Sequence, residues 1–371
     1  MDKKDSRKEI IDAFFKFTGL RDADRMKAFI ERIEAYISTS KDDADLEFVI
    51  LALKANREDQ IFSNTERCRD IARPIFEWLK SNEKWDYWMI VVLCTTIHYT
   101  STYKLAHQLT QKAFSALKQD YPSEAYTKGL EHASSVNMTL RLQRAHFWDI
   151  TDPIKQKAEL REINELFIHY RKRCHILAKE RNRPVLATVV DIRHEILIVN
   201  CDGIIDGLKK LKDAGAHDWL RTSHEEVREY FKYFGGKVTT KLINVLQGYI
   251  AQQLRINAGM RTSELAVILD TSQQVINGFE SGESGISKKR QNLLAQIYGV
   301  DPSCFDITVN STNMQPAPPA VQLNPRLLEM KQATRHATDA DWDYIIAQTK
   351  LYMKTAKKLR SVNNSDGSDA D

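Results

Sequence analysis

Gln273, Gln274 and Asn277 place three carboxamide side chains within little more than one helical turn of each other. A carboxamide both donates and accepts hydrogen bonds, and it matches the N6 and N7 groups that adenine presents in the major groove of DNA. One such two-bond contact contributes about 1–3 kcal/mol of discrimination between bases. In a helix, the spacing of these residues predicts one polar face suited to contacting base edges.

Two short helical patterns must position these amides. The first covers Thr262–Leu269, the second covers Gln273–Glu280, and Asp270–Ser272 joins them. Apolar residues fall on one face of each pattern: Leu265, Ala266 and Leu269 in the first, and Val275, Ile276 and Phe279 in the second. Two helices joined by so short a turn are typical of a helix-turn-helix, whose second helix enters the major groove.

Residues 240–306 resemble the helix-turn-helix domain of the Cro and phage-repressor family. The matching positions are the pair Arg255 and Glu280, the turn Gly259-Met260, the small contact Leu265-Ala266, the glycine turn Ser281-Gly282, and the closing core of Ile297, Gly299-Val300 and Phe305. Gln273-Gln274 stands where some phage repressors also carry paired glutamines. The resemblance implies a lambda-repressor-like fold, a structural pair of Arg255 with Glu280, and a homodimer that binds double-stranded DNA.

Two sets of contacts with DNA are predicted. Gln273, Gln274 and Asn277 are expected to contact bases. Phosphate contacts are expected where the helices begin, from side chains and from the backbone N–H groups there. The predicted phosphate-contacting side chains are Arg261, Thr262, Ser272, Lys288, Lys289 and Arg290.

The charge of the same segment leaves a second function open. Six basic side chains lie between residues 240 and 306: Lys241, Arg255, Arg261, Lys288, Lys289 and Arg290. Six acidic ones balance them: Glu264, Asp270, Glu280, Glu283, Asp301 and Asp306. Counterion release from DNA needs cationic contacts, which a neutral segment supplies poorly without a second copy or a basic face elsewhere. Residues 274–282 also resemble the helix-turn-helix of multiprotein bridging factors, which implies a protein contact. An adaptor or coactivator-like protein is the alternative prediction.

Residues 1–235 predict helices throughout, because apolar residues recur there at helical spacing and alternating β patterns are missing. The segment Tyr87–Pro122 resembles a tetratricopeptide unit. Its first helix would carry Ile90, Leu93, Cys94 and Ile97, and its second would carry the small residues Ala106 and Ala113. The resemblance implies an array of helix pairs, and an irregular helical bundle is the alternative. Either architecture predicts a domain that binds a peptide, a protein partner or a second subunit.

Two local patterns in this part make narrower predictions. Ser223-x-x-Glu226 has the form of a capping box, which predicts that a helix restarts there. Trp85–Tyr99 is the most apolar window, but it is too short to span a bilayer. We predict a buried core helix for this window and no contact with a membrane.

Composition and reactive residues predict a cytoplasmic protein that is not an enzyme. The net charge of the 371 residues is only +4, so any DNA-binding charge must be local. The five cysteines are scattered, which indicates buried thiols in a reducing compartment. The polar N-terminus predicts no signal peptide. His169 and His175 have poor spacing for a metal site, and neither a phosphate-binding glycine loop nor a G-x-S-x-G elbow occurs. We therefore predict no catalytic residue, metal or cofactor.

Shifts in composition divide the chain into five segments. They are a helical interaction domain at 1–235, a DNA-binding helix-turn-helix domain at 237–308, a proline-rich linker at 309–324, an amphipathic helix at 325–360 and a disordered acidic tail at 361–371. Gly235-Gly236 marks the first boundary. The sequence as a whole predicts an all-α, repressor-like regulator of transcription.

Overall fold

The computed structural model describes residues 7–15, 23–39, 43–62, 64–121, 124–150 and 156–307. These ranges contain helices and no strand, so the predicted all-α class is confirmed. The linker, terminal helix and tail predicted for 309–371 lie outside the described residues. The chain divides into two compact units between Lys237 and Val238, next to the predicted boundary at Gly235-Gly236.

Eleven α-helices lie in the described part of the first unit. They are α1 Arg7–Phe15, α2 Ala23–Thr39, α3 Ala44–Phe62, α4 Thr65–Ser81, α5 Tyr87–Thr96, α6 Tyr103–Asp120, α7 Glu124–Arg144, α8 Gln156–Glu180, α9 Pro184–Leu197, α10 Cys201–Asp213 and α11 His217–Tyr230. A π-helical turn, Ala145–Asp149, follows α7 directly. Helices that follow each other in sequence pack together from α2 to α4 and from α7 to α11.

The segment that resembles a tetratricopeptide unit forms α5 and α6. Ala106 and Ala113 of α6 are fully buried, and α6 packs on α5 and α7. A close approach occurs between α9 and α10, where a Cβ atom on Gly207 would lie 2.3 Å from Cγ1 of Ile192. Small residues thus allow neighbouring helices to come together in this unit. A tetratricopeptide array and an irregular bundle both stay predictions.

The apolar window of the first unit forms a buried helix, as its sequence predicts. Most of α5 is buried, including Trp88, Ile90 and Leu93. None of the helices in the described ranges is long and apolar enough to cross a membrane.

Arg193 and Glu226 form a buried ion pair, which corrects one local prediction. Helix α11 continues through Ser223 without a break, so the predicted capping box does not start a new helix. Instead, the Glu226 carboxylate accepts hydrogen bonds from Nε and Nη2 of Arg193, at 2.9 and 2.6 Å. The prediction fails because this carboxylate binds a buried guanidinium that is distant in sequence.

Four α-helices and a closing 3-10 turn form the described part of the second unit. They are α12 Thr240–Asn257, α13 Thr262–Ile268, α14 Gln273–Glu280, α15 Lys288–Tyr298 and the turn Pro302–Phe305. Their buried apolar residues share one core, which includes Leu265, Ile276, Phe279, Leu294 and Phe305. Helix α14 packs on α12 and α13, and α12 also contacts α15. The predicted bounds of α14 are confirmed, and α13 ends one residue earlier than predicted.

Candidate nucleic-acid interface

The turn between α13 and α14 is closed by Asp270 in a left-handed backbone conformation, with φ at 47°. The N–H of Thr271 donates to the carbonyl of Ala266 at 2.9 Å, which satisfies one of the free carbonyls at the end of α13. Aspartate adopts this conformation more readily than most residues that carry a side chain. The next helix starts at once, because Oγ of Ser272 accepts the N–H of Val275 at 3.3 Å and caps α14.

Helix α14 exposes its amides and buries its apolar face. Ile276 and Phe279 are 0% and 1% exposed. Gln273, Gln274 and Asn277 are all exposed. Because the buried face fixes the rotation of the helix about its axis, the three amides are presented to solvent.

The three amides differ in the hydrogen bonds that they already make. Nε2 of Gln273 donates to Oγ1 of Thr262 at 2.9 Å, which ties the first residue of α14 to the first residue of α13. Gln273 therefore keeps its Oε1 and one N–H for a ligand. The side chains of Gln274 and Asn277 make no hydrogen bond to the described part of the chain. These two residues present complete amide groups to solvent.

Arg255 and Glu280 fix the end of α14 to α12. Nε and Nη2 of Arg255 donate to the two carboxylate oxygens of Glu280 at 2.7 and 2.8 Å. Nη1 donates to the carbonyl of Met260 at 2.8 Å, so the same guanidinium also holds the turn between α12 and α13. The two side chains are only 12% and 4% exposed. Hydrogen bonding to Glu280 raises the pKa of Arg255. The resemblance to phage repressors implies this same pairing.

Three predicted phosphate contacts form the first turn of α15: Lys288, Lys289 and Arg290. Lys288 and Lys289 are exposed, and no acidic residue accompanies them in that turn. Ser287 caps the helix, with its Oγ accepting the N–H of Arg290 at 3.4 Å. The positive end of the helix dipole lies at the same place, so cations there are unfavourable unless an anion is bound. This turn is therefore suited to a phosphate group.

The other three predicted phosphate contacts already take part in local hydrogen bonds. Thr262 accepts a bond from Gln273, and Ser272 caps α14. Arg261 is exposed, and its backbone N–H donates to Oε2 of Glu264 at 2.6 Å. A hydroxyl that accepts one hydrogen bond can still donate its own proton. Thr262 and Ser272 thus keep the donor that a phosphate contact requires.

One exposed residue beside α14 was not predicted as a site residue. The N–H of Ser284 donates to the carbonyl of Gly278 at 3.1 Å. The serine hydroxyl lies 3.4 Å from the position that a Cβ atom would take on Gly278. No spacing rule connects these two residues, so only the structure could bring them together. In the sequence, the one feature that indicates an open position here is Gly278, on the outward face of the predicted helix.

The first unit is the part of the chain that is predicted to bind a partner. A cleft of about 260 Å³ lies on it. Helix α4 lines it with charged side chains, and Tyr99 and Leu105 supply apolar surface. Arg69 is bound to Asp149 at 3.0 Å, and Arg73 is bound to Asp70. Both arginines of the cleft are therefore already neutralised by acids of the same chain. Within the described ranges, no group of three or more His, Cys, Asp or Glu side chains is arranged to hold a metal ion.

Comparison with other proteins assigns no family to this chain. No protein-family model matches it. No curated protein and no solved structure matches it either. The likeness to phage repressors stays a prediction drawn from named residues, and we infer function from the geometry of those residues.

Proposed function

We propose that the chain is a sequence-specific, DNA-binding regulator of transcription, of the repressor type, and that α14 is its recognition helix. The observation that supports this most strongly is the exposed row of Gln273, Gln274 and Asn277 above the buried Ile276 and Phe279. A carboxamide in such a row can form two hydrogen bonds with the edge of adenine in the major groove.

The rigidity of α14 supports the same proposal. The helix is capped at its start by Ser272 and held at its end by the Arg255–Glu280 pair. Side chains on an element that is fixed before binding lose less conformational entropy when they meet a ligand. Contacts with bases also require positions that are accurate to a fraction of an ångström, which a packed helix provides better than a loop.

The first turn of α15 supplies the electrostatic part of the proposal. Each lysine that neutralises a DNA phosphate releases a counterion, and the affinity then depends steeply on salt. Lys288 and Lys289 are exposed and stand at the positive end of a helix. We expect the protein to act as a homodimer, because modules of this kind contact two half-sites about one helical turn apart.

Selection of DNA fragments from the source genome by the full-length chain tests the proposal. Specific fragments should be retained, and their affinity should fall steeply as salt rises. Gln274→Ala should weaken binding to those fragments by about 1–3 kcal/mol. Gln296→Ala is the matched control, because Gln296 is an exposed glutamine of the same unit that lies on α15. If wild type and Gln274→Ala bind every fragment equally, α14 does not contact bases.

The charge of the second unit favours the alternative, an adaptor that uses the same unit as a protein-binding module. One of the six basic and one of the six acidic side chains of 240–306 form the Arg255–Glu280 pair, which leaves five of each sign. The exposed Ile256 and Leu293, at 52% and 39%, add apolar surface that a protein partner could cover. An adaptor should retain no DNA fragment even at low salt, and a protein should co-purify with it instead.

We propose that the first unit binds a peptide, a protein partner or a second subunit.

The cysteines support a reducing compartment. All five are free thiols, and four of them are buried. Thiols persist unpaired in a reducing compartment. This supports a protein that acts in the cytoplasm.

A further inference from the structure

The turn that follows α14 folds back onto the end of that helix. The carbonyl of Gly278 accepts two hydrogen bonds, from the N–H of Ser284 at 3.1 Å and from Oγ of Ser281 at 3.0 Å. These bonds close residues 281–285 into a loop against the last turn of α14. The loop therefore lies beside the amides of the recognition helix, α14.

The other side of this loop is fixed against α12. Gly282 has a φ of 79°, and a Cβ atom there would lie 2.6 Å from Cα of Val245. A Cβ atom on Gly285 would lie 2.9 Å from Oδ1 of Asn244. Only a residue without a side chain at position 282 allows the loop to approach the backbone of α12 so closely, whereas at position 285 a Cβ atom would displace only the end of the Asn244 side chain. The loop is thus held between two helices before any ligand binds.

Gly278 leaves a gap in the outward face of α14. Residues 274, 277, 278 and 281 are neighbours there, because helical positions three and four apart lie side by side. Gln274 and Asn277 extend side chains from this face, and Gly278 does not. The nearest atom to a Cβ on Gly278 is the hydroxyl oxygen of Ser284, at 3.4 Å. Ser284 is exposed, and its hydroxyl stands beside this open position.

We propose that Ser284 is a fourth base-contacting residue, which determines the preference at the base pair next to those contacted by Gln274 and Asn277. This inference rests on the proposed binding of DNA by α14. A serine hydroxyl can donate to a base acceptor or accept from a base amino group, so it can add specificity with either kind of partner. The bond from the Ser284 N–H to Gly278 holds the backbone of Ser284 beside the helix, and its hydroxyl lies next to the outward face.

Selection from a randomised duplex library, with the full-length chain, tests this inference. Ser284→Ala removes the hydroxyl and leaves the backbone bond to Gly278 intact. It should relax the preference at one base pair, leave the other positions unchanged, and lower the affinity for the best site about tenfold. Ser284→Thr keeps the hydroxyl and should retain the preference. Gln296→Ala again serves as the control for an exposed residue away from α14.

Three outcomes would overturn the inference. If Ser284→Ala weakens binding to all sequences equally and reduces the salt dependence, the hydroxyl contacts a phosphate and not a base. If Ser284→Ala selects the same sequences with the same affinity as wild type, the residue makes no contact with DNA. If wild type itself enriches no sequence, the proposed function fails as well, and this result differs clearly from the other two.

Discussion

Arg255 binds both carboxylate oxygens of Glu280, at 2.7 and 2.8 Å, although 25 positions separate the two residues in sequence. The third nitrogen of the same guanidinium binds the carbonyl of Met260. One side chain therefore fixes the end of α14, the end of α12 and the turn that leads into α13. The orientation of the exposed amides depends on this pair, although its side chains are almost fully shielded from solvent.

Glu280→Ala should destabilise the second unit by about 3–5 kcal/mol, because it leaves a shielded guanidinium without its partner. Urea denaturation of the full-length chain measures the loss of stability. Hydrogen exchange of the backbone N–H groups of α12 and α14 then assigns the loss to the second unit. Glu283→Ala is the control, since this acid is exposed, and its effect should stay within about 0.5 kcal/mol. A loss below about 1 kcal/mol for Glu280→Ala would contradict the structural role of the pair.

Two helical glycines of the second unit should respond to alanine with opposite signs. A Cβ atom on Gly248 would lie 2.1 Å from the carbonyl oxygen of Phe279, so Gly248→Ala must push α12 away from α14. We expect a loss of about 1–3 kcal/mol or more. A Cβ atom on Gly278 meets only the Ser284 hydroxyl at 3.4 Å, and alanine is the better helix former by roughly 1 kcal/mol. Thermal melting of both variants tests this, and equal destabilisation would refute the close approach of the helices.

Replacing Lys288 and Lys289 together by alanine should have opposite effects on stability and on DNA binding. Removing two cations from the positive end of α15 should stabilise the unit by roughly 0.3–1 kcal/mol per residue at low salt. The same change should reduce the slope of log affinity against log salt by about 2, because two phosphate contacts are lost. Lys209→Ala with Lys210→Ala, on the exposed face of α10, is the matched control for the salt dependence. An unchanged slope would exclude these lysines as phosphate contacts.

The first unit should lose stability as the pH falls below neutrality. Burial, with a contribution from Arg181, lowers the pKa of His132 to about 4. The ordinary pKa of histidine is about 6.5, so between these values the unfolded chain binds a proton that the folded chain does not. The contribution of His132 to the free energy of unfolding is fully present above about pH 6.5. It decreases as the pH falls towards 4, by about 2 kcal/mol between pH 7 and 5.

His132→Gln should remove that part of the pH dependence, whatever it does to stability at pH 7. His217→Gln is the control, because His217 is exposed at the start of α11. Urea denaturation at pH 7 and pH 5 gives the comparison. If His132→Gln loses as much stability as wild type between the two pH values, His132 does not titrate as its burial requires.

The sequence predicted the helices of the candidate site because local patterns are strong there. The apolar spacing of Ile276 and Phe279 marks the buried face of α14, and Asp270 and Ser272 carry the turn and the cap. The capping-box prediction at Ser223 was wrong because a local pattern competed with a distant partner. The buried guanidinium of Arg193, thirty-three positions before Glu226, donates a hydrogen bond to that carboxylate inside the core.

The sequence by itself determined the all-α class, the bounds of α14 and the exposure of its three amides, because helical periodicity and capping act over a few neighbouring residues. Only the tertiary structure decided which side chains stand beside those amides. Ser284 reaches the outward face of α14 because the carbonyl of Gly278 binds it and because Gly282 allows contact with α12. Such contacts depend on how helices pack in space, and no spacing along the chain specifies them.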